Sequence, residues 1–252
     1  MNRILYLFSG KESDKKKMPA YFASLQKEMD NISRADTKIE VRGLSDRVPD
    51  QSEMVYWYSH SIVVEEMIEQ ARKAEKEGFD AVIIGCFGNV EAEYALKEVL
   101  DIPVVGVTEA GFLLACALAT RFSMVAYNRK VVPWLERTIR EYSLEDRLCS
   151  IRTIDVKLEK VLARRAAKQI EKRMLEQASE AIWGDRAEAV ILASAGMVGE
   201  AEHIGKKLNV PVIDPVEASI KFAEMLIDLK KKRNLYHSKI ACWRPSPRLK
   251  NS

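Results

Sequence analysis

The hydrophobic positions of this chain follow two alternating patterns. Continuous short apolar runs predict buried strands at residues 4–8, 39–44, 122–127 and 150–154. Stretches with apolar residues at helical spacing predict helices at residues 18–32, 62–77, 111–119, 131–142, 158–182 and 218–232. Strands that alternate with helices predict an α/β fold with parallel sheets. The aromatic segment 45–61 fits neither pattern, and we expect an irregular loop that covers a site.

One block of the chain occurs twice. Residues 80–110 align without a gap with residues 188–218, at an offset of 108 (194 minus 86), so that Gly88 matches Gly196 and Pro103 matches Pro211. Each copy has an apolar run, a turn of small residues, an amphipathic helix and a second apolar run. This pattern is typical of a parallel, right-handed βαβ unit. A repeat of this length predicts two equivalent lobes rather than a solenoid.

The ends of the two copies predict where the lobes are joined. Both copies end in a strand that is followed by Glu-Ala and a helix. We therefore expect the chain to cross between lobes near residue 108 and again near residue 216. The first lobe is predicted to contain residues 1–107 plus 216–252, and the second residues 108–215. Each is a parallel β-sheet flanked by helices, and the active site of this pseudo-symmetric pair is predicted to lie between them.

Composition narrows the class of protein. The 252 residues are 47% apolar and 31% charged, which is ordinary for a globular protein. The net charge is only +3, with basic and acidic residues mixed along the chain, so nucleic acid is not an expected partner. No run of eighteen apolar residues exists, so no membrane span is predicted, and the segment MNRILYLFSG reads as a strand rather than a cleavable leader.

The cysteines point to neither a metal nor a disulfide framework. The four cysteines lack CxxC or Cys/His spacing; they are Cys86, Cys116, Cys149 and Cys242. A reducing cytoplasm is the location that this usage predicts. Three of them are expected to be small apolar core residues. Cys86 differs because it lies in the turn of the duplicated block.

Cys86 and Ser194 occupy equivalent turns, each after a strand and before a helix. Ligands of open α/β sheets bind beyond the carboxyl ends of the strands, where backbone N–H groups can hold an anion. We expect the helix terminus to lower the pKa of the Cys86 thiol and favour the thiolate. If the lobes face each other, the two side chains approach one substrate from opposite sides. Abstraction of a proton from one face of a carbon and delivery to the other needs this arrangement, with fixed donors that stabilise the enolate.

The remaining cleft residues are predicted from the same turns and from the strand ends. They are expected to bind substrate: Phe87, Gly88, Asn89, Ala195, Gly196 and Met197 at the turns, and Ser9, Gly10, Tyr127 and Asn128 at the strand ends. Structural roles stay open for some of them, because glycines at 88 and 196 suit tight turns and Ser194 can cap a helix. His60, in the aromatic segment, could also reach the site.

The duplicated block resembles the aspartate/glutamate/hydantoin racemase superfamily, and within it the hydantoin racemase branch. The resemblance rests on DAVIIGCFGN with LDIPVVGVTEA, paired with AVILASAGM and NVPVIDPVEA. It implies two pseudo-symmetric α/β lobes, no cofactor, and a cysteine from each lobe acting as acid and base. Cys86 matches the first of these cysteines. Subunit association is common for this architecture, so a homo-oligomer is expected.

The chain departs from the family pattern in three places. Ser194 stands where the family has its second cysteine, the first-strand loop is Phe8-Ser9-Gly10-Lys11, and the mid-chain strand ends in Ala126-Tyr127-Asn128. Three explanations of Ser194 stay open. It is an engineered replacement of cysteine, the mark of a natural single-cysteine enzyme, or a weak donor in an enzyme of altered substrate range.

These observations predict a cofactor-independent racemase or isomerase that uses Cys86 as acid/base. Its substrate is a small molecule with a proton α to a carboxylate or amide carbonyl: an amino acid, a hydantoin or a related acid. A single-cysteine decarboxylase of a malonate-like acid is the alternative within enzymes. The third hypothesis is a ligand-binding homologue that has lost turnover.

Overall fold

The computed structural model describes residues 1–163 and 167–247, and its strands form two sheets of four. The strands of the first sheet are β1 (Asn2–Lys11), β2 (Thr37–Leu44), β3 (Ala81–Gly85) and β4 (Val104–Gly106). Those of the second are β5 (Phe122–Ala126), β6 (Leu148–Thr153), β7 (Ala189–Leu192) and β8 (Val212–Ile213). The orders are β2-β1-β3-β4 and β6-β5-β7-β8, and every described pair is parallel. The two sheets therefore repeat one topology.

The helices connect and flank these strands. In chain order they are α1 (Asp14–Lys17), α2 (Pro19–Ile32), α3 (Trp57–Lys76), α4 (Val90–Val99), α5 (Val107–Leu118), α6 (Val132–Glu141), α7 (Leu158–Leu162), α8 (Ala167–Trp183), α9 (Ala201–Leu208) and α10 (Pro215–Arg233). None of the helices within residues 1–163 and 167–247 combines the length and the hydropathy that a membrane crossing needs.

The first strand shows why its apolar run is continuous. Ile4, Tyr6 and Phe8 pack on one face of the sheet in a core that extends into the second lobe. Leu5 and Leu7 pack on the other face, under α3 and α4. Because helices cover both faces of a parallel sheet, both sets of alternating side chains are buried. An apolar run without polar alternation follows from this two-sided burial.

Two helices link the lobes. Helix α5 follows β4 and packs against β7 of the second sheet, whereas α10 follows β8 and packs against β3 of the first. The two helices also pack against each other. The crossings predicted near residues 108 and 216 fall in the first turns of these helices.

Several elements differ from the predicted ones. Helix α3 begins at Trp57 rather than near residue 62, and the Trp57 ring packs against Trp134 of the second lobe. A 3₁₀ turn, Gln51–Val55, lies in the predicted loop. The helix predicted at 158–182 is two helices, α7 and α8, and residues 164–166 between them lie outside the described chain. In the tail a short 3₁₀ turn spans Ala241–Trp243; of the predicted extended tail, residues 248–252 lie outside the described chain.

Candidate active site

A cavity of about 70 Å³ lies between the lobes, at the carboxyl ends of β1, β3, β5 and β7. That volume is several times what one water molecule needs, so the cavity accepts a small molecule. Eighteen residues line it: Phe8, Ser9, Tyr21, Gln51, Met54, Gly85, Cys86, Phe87, Tyr127, Val131, Trp134, Leu135, Leu158, Leu162, Ala193, Ser194, Ala195 and Gly196. Cys86 from the first lobe and Ser194 from the second thus share one cavity.

Cys86 follows β3 directly, and its side chain is partly buried. Burial raises the pKa of the thiol to about 11, against a smaller lowering by a hydrogen bond with Ser9. The expected lowering of this pKa by a helix terminus was wrong, because burial dominates. Helix α4 begins only at Val90, and a turn separates it from the thiol. At neutral pH the Cys86 side chain is therefore a thiol.

Ser194 follows β7 and is 6% exposed. Its Oγ accepts a hydrogen bond from the N–H of Gly196 at 3.1 Å and caps the 3₁₀ turn Ala195–Met197. This bond uses a lone pair of the oxygen and leaves the hydroxyl hydrogen available. Ser194 is therefore both a cap and a potential proton donor, so the two roles are compatible.

The backbone N–H groups of the two turns differ in their availability. Those of Gly88 and Gly196 donate to Thr108 Oγ1 and Ser194 Oγ, at 2.7 and 3.1 Å. The next N–H group in each turn also has a partner. The backbone N–H of Asn89 donates to the Cys86 carbonyl, and that of Met197 donates to the Ser194 carbonyl. Within residues 1–163 and 167–247, no acceptor is found for the N–H groups of Phe87 and Ala195. These two equivalent groups are the turn donors that remain for a ligand.

Tyr127 and Ser9 add hydroxyl groups to the lining. Tyr127 comes directly after β5 and is 8% exposed. Burial holds the pKa of its phenol well above the usual value, so the group is a neutral donor. Ser9 lies where the pairing of β1 with β2 is interrupted, between Leu7 and Lys11. A side-chain hydrogen bond with Ser9 lowers the pKa of the Cys86 thiol by less than burial raises it.

The cavity walls are apolar and neutral. Among the described residues that line it, none is Asp, Glu, Lys, Arg or His. Its polar groups are hydroxyls, a thiol, the Gln51 amide and backbone. No cluster of three or more His, Cys, Asp or Glu residues in the described part of the chain is arranged to hold a metal ion. This lining suits a neutral ligand with an apolar portion.

Comparison with known proteins gives the family of the chain. A model of the Asp/Glu/Hydantoin racemase family matches residues 20–223. The chain belongs to that family. Hydantoin racemase from Pseudomonas sp. (strain NS671) is 37% identical over 181 residues, which are 70% of each chain. Hydantoin racemase from Paenarthrobacter aurescens is 37% identical over 174 residues, 68% of this chain and 72% of that one.

Solved structures repeat the fold. Allantoin racemase from Pseudomonas fluorescens has a TM-score of 0.83 at 25% identity, over 97% of each chain. Arylmalonate decarboxylase has a TM-score of 0.62 at 18% identity, over 89% of this chain and 92% of that one, which is a likeness of fold alone. The protein is therefore an enzyme of the racemase/isomerase type with a two-lobed α/β fold.

Five predicted substrate-binding residues lie beside the cavity of this racemase rather than in its lining. They are Gly10, Gly88, Asn89, Asn128 and Met197. Asn89 and Asn128 cap α4 and the 3₁₀ turn Arg129–Val131. Met197 is fully buried in the core. Gly88 has φ of +88°, a conformation that favours glycine, so it shapes the turn after Cys86.

Sequence analysis missed residues that reach the racemase cavity from distant segments. Gln51 and Met54 come from the 3₁₀ turn before α3, Trp134 and Leu135 from α6, and Leu158 with Leu162 from α7. The repeat could not identify them because they lie outside it. The expectation that segment 45–61 covers a site was the available signal for Gln51 and Met54.

The two lobes of the racemase also contact each other next to the cavity. The residues of this contact are Trp57, His60, Glu91, Trp134 and Arg137. The Trp134 ring lies 4.7 Å from that of Trp57 and 4.3 Å from that of His60, between ring centroids. Arg137 and Glu91 form an ion pair at 2.6 Å. His60 and Arg137 lower the pKa of Glu91 to about 2. His60 thus packs behind the cavity wall and does not line it.

Proposed function

We propose that this racemase inverts the configuration of the carbon next to the carbonyl of a small ring amide of the hydantoin type. Cys86 acts as acid/base, and no cofactor takes part. The observation that carries the proposal is the shared cavity, which is lined by equivalent turns bearing Cys86 and Ser194. The names of the two relatives at 37% identity support the same substrate class.

The neutral lining favours a ring amide over a free amino acid. A carboxylate or ammonium group buried without a partner of opposite charge is strongly unfavourable. Carbonyl oxygens of a ring amide need only neutral donors, which the cavity supplies through hydroxyls and backbone N–H groups. Phe8, Met54 and Trp134 provide apolar surface for a substituent on the reacting carbon. The same argument disfavours a malonate-like diacid, the substrate of the alternative decarboxylase.

In the proposed reaction one proton leaves the reacting carbon, and then one proton is added to its opposite face. In one direction the Cys86 sulfur, as thiolate, takes the proton from the carbon and becomes a thiol. The electron pair moves onto the carbonyl oxygen, and the enolate is stabilised by neutral donors, for which the N–H groups of Phe87 and Ala195 are the candidates. The Ser194 hydroxyl then gives its proton to the other face; water returns a proton to Ser194, and the hydroxide left behind takes the proton from the Cys86 thiol, which restores the starting state. In the reverse direction hydroxide takes the Ser194 proton, the Ser194 oxygen takes the proton from the carbon, and the Cys86 thiol supplies the proton to the opposite face.

Solvent deuterium exchange tests this proposal. A 5-monosubstituted hydantoin in D₂O should gain deuterium at its reacting carbon as its optical rotation falls. The Cys86→Ala variant should lose both signals, by at least about a hundredfold, because a positioned acid/base group contributes about 10²–10⁴ in rate. Cys116→Ala is the matched control, since Cys116 lies on α5 outside the cavity. Undiminished exchange in Cys86→Ala would refute the role of this thiol.

The proposal includes a cytoplasmic location and self-association. All four cysteines are free thiols, in keeping with a reducing compartment. The net charge of +3 gives no reason to expect nucleic acid as a partner. Leu113, Leu118 and Trp183 are 44, 53 and 73% exposed, and burial of such side chains favours a homo-oligomer. Sedimentation of the purified protein measures the oligomeric state.

A further inference from the structure

The two equivalent turns provide different acceptors for the same backbone N–H group. In the second lobe the N–H of Gly196 donates to the Oγ of Ser194, the first residue of its own turn, at 3.1 Å. In the first lobe the N–H of Gly88 donates instead to Thr108 Oγ1, at 2.7 Å. Among the described residues, no backbone N–H donates to the sulfur of Cys86. The side chain of the first turn residue therefore accepts this bond in one lobe only.

The backbone of the two turns is otherwise bonded alike. The N–H of Asn89 donates to the Cys86 carbonyl at 3.4 Å, and the N–H of Met197 donates to the Ser194 carbonyl at 3.0 Å. Gly88 has a positive φ, but this angle turns the chain after the Gly88 nitrogen and does not set the direction of its N–H. The different acceptors therefore follow from the side chains around the turns.

The side chains that differ are paired across each lobe. The offset of the repeat relates Thr108 to Val216, and each is the buried second residue of a helix that links the lobes. Valine has no acceptor, so the Gly196 N–H depends on the Ser194 oxygen. Sulfur is a weak acceptor, and a buried N–H without an acceptor is costly. The turn that carries a thiol therefore needs an oxygen from elsewhere, and Thr108 supplies it.

The acceptor of the Gly88 N–H matters for the chemistry of Cys86. A hydrogen bond donated to a thiolate stabilises the charged form and lowers the pKa of the thiol. A thiolate that is stabilised in this way is a weaker base towards the carbon acid. The electron pair that accepts the N–H is also not available for a proton of the substrate.

We infer that Thr108 is a positioning residue, which binds the Gly88 N–H and so leaves the Cys86 sulfur free to exchange a proton with the substrate. Thr108 does not line the cavity and acts only through the turn. The inference rests on the proposed function, because it assigns a purpose to the basicity of Cys86. The hydrogen bond itself can be tested without any substrate.

Titration of Cys86 in Thr108→Val tests the inference. This variant gives position 108 the side chain of Val216, so the Gly88 N–H keeps only the Cys86 sulfur as an acceptor within its own turn. Cysteine labelled with ¹³C at Cβ reports the thiolate by NMR, and the signal that is lost in Cys86→Ala belongs to Cys86. The titration midpoint of Cys86 should fall by about 1 pH unit, because a hydrogen bond to the charged form favours it. An unchanged midpoint would overturn the inference.

Controls separate the hydrogen bond from a general loss of structure. Thr108→Ser keeps the acceptor and should titrate like wild type. Thr138→Val is the matched variant, because the Thr138 hydroxyl also lies close to Gly88 but donates to the Trp134 carbonyl at 2.9 Å. An equal fall of the midpoint in Thr138→Val would also overturn the inference. Thr108→Ala, which removes the same acceptor, replaces Thr108→Val if the latter unfolds at lower temperature.

The two proposals can fail separately. Wild-type protein that racemises 5-monosubstituted hydantoins, together with an unchanged midpoint in Thr108→Val, refutes the role of Thr108 alone. Wild-type protein that racemises none of these rings, together with a lowered midpoint in Thr108→Val, refutes the proposed substrate class and supports the role of Thr108 at the turn. If both proposals hold, the kcat/KM of Thr108→Val should level off about 1 pH unit below that of wild type.

Discussion

The indole of Trp57 on α3 lies 4.7 Å from the indole of Trp134 on α6, and the pair joins the two lobes beside the cavity. Trp134 lines the cavity, whereas Trp57 is 53% exposed. The stack therefore runs from the cavity wall to the surface. Separation of the lobes at this place would open the cavity to solvent.

Loss of this stack should increase opening of the lobes. An aromatic pair contributes about 0.5–1.5 kcal/mol, so Trp57→Ala should raise the open population about twofold to tenfold. Hydrogen exchange at the first turns of α3 and at α6 measures this change. Tyr58→Ala is the matched control, because Tyr58 is the next residue and 79% exposed. Equal exchange rates in the two variants would show that the stack does not hold the lobes together.

Restoring the second thiol should raise turnover. A serine hydroxyl is a far weaker acid than a thiol, and a well-matched acid/base group contributes about 10²–10⁴ in rate. We expect Ser194→Cys to increase the racemisation rate by at least about tenfold, as measured by polarimetry. Ser219→Cys controls for the new thiol, because Ser219 is buried in α10 away from the cavity. If neither the parent nor Ser194→Cys racemises any hydantoin, while these rings still bind, the protein is a binding homologue.

Activity should rise with pH because the base form of Cys86 is scarce. Burial raises the thiol pKa to about 11, so below that pH the thiolate fraction grows about tenfold per pH unit. The kcat/KM of wild type, which reports on the free enzyme, should therefore increase from about pH 7 to about pH 10 without a plateau. A substrate alkylated at its imide nitrogen removes the titration of the ring itself. A plateau reached near neutral pH would indicate a thiol with an ordinary or lowered pKa.

Stability should depend on one buried cation at the base of α4. Lys97 is 2% exposed and forms ion pairs with Glu93 and Glu109, at 2.7 and 2.6 Å. Lys97→Met leaves a buried carboxylate without its partner, so the free energy of unfolding should fall by about 3–5 kcal/mol in urea titrations. Lys172→Met, at an exposed ion pair with Glu176, should change it by less than about 0.5 kcal/mol. A small effect of Lys97→Met would mean that the carboxylates become protonated at little cost.

Sequence reasoning succeeded where the fold repeats a local pattern. The apolar runs predict β1, β2, β5 and β6, and the duplicated block places Cys86 and Ser194 at equivalent strand ends of one cavity. It failed to predict which backbone N–H groups of the turns already have hydrogen-bond acceptors. The N–H of Gly88 bonds to Thr108 Oγ1, twenty residues further along, and no spacing in the sequence reveals that bond.

The other errors have the same physical origin. The pKa of Cys86 depends on how deeply the folded lobes bury the thiol, which outweighs the turn that follows it. Trp134 and Gln51 meet at the cavity only in the folded chain, and neither belongs to the repeat. Residues that act through tertiary packing thus lay beyond prediction, whereas those fixed by strand ends did not.

Helix α10 is synthesised late, but it packs against the sheet that is synthesised first. Its buried residues Ile220, Ala223 and Ile227 lie on the helix that packs against β1 and β3, yet residues 215–233 leave the ribosome after every strand of both sheets. The lobe whose strands are made first is therefore finished last. A nascent or truncated chain that stops before residue 215 leaves that sheet face uncovered, and aggregation would begin there.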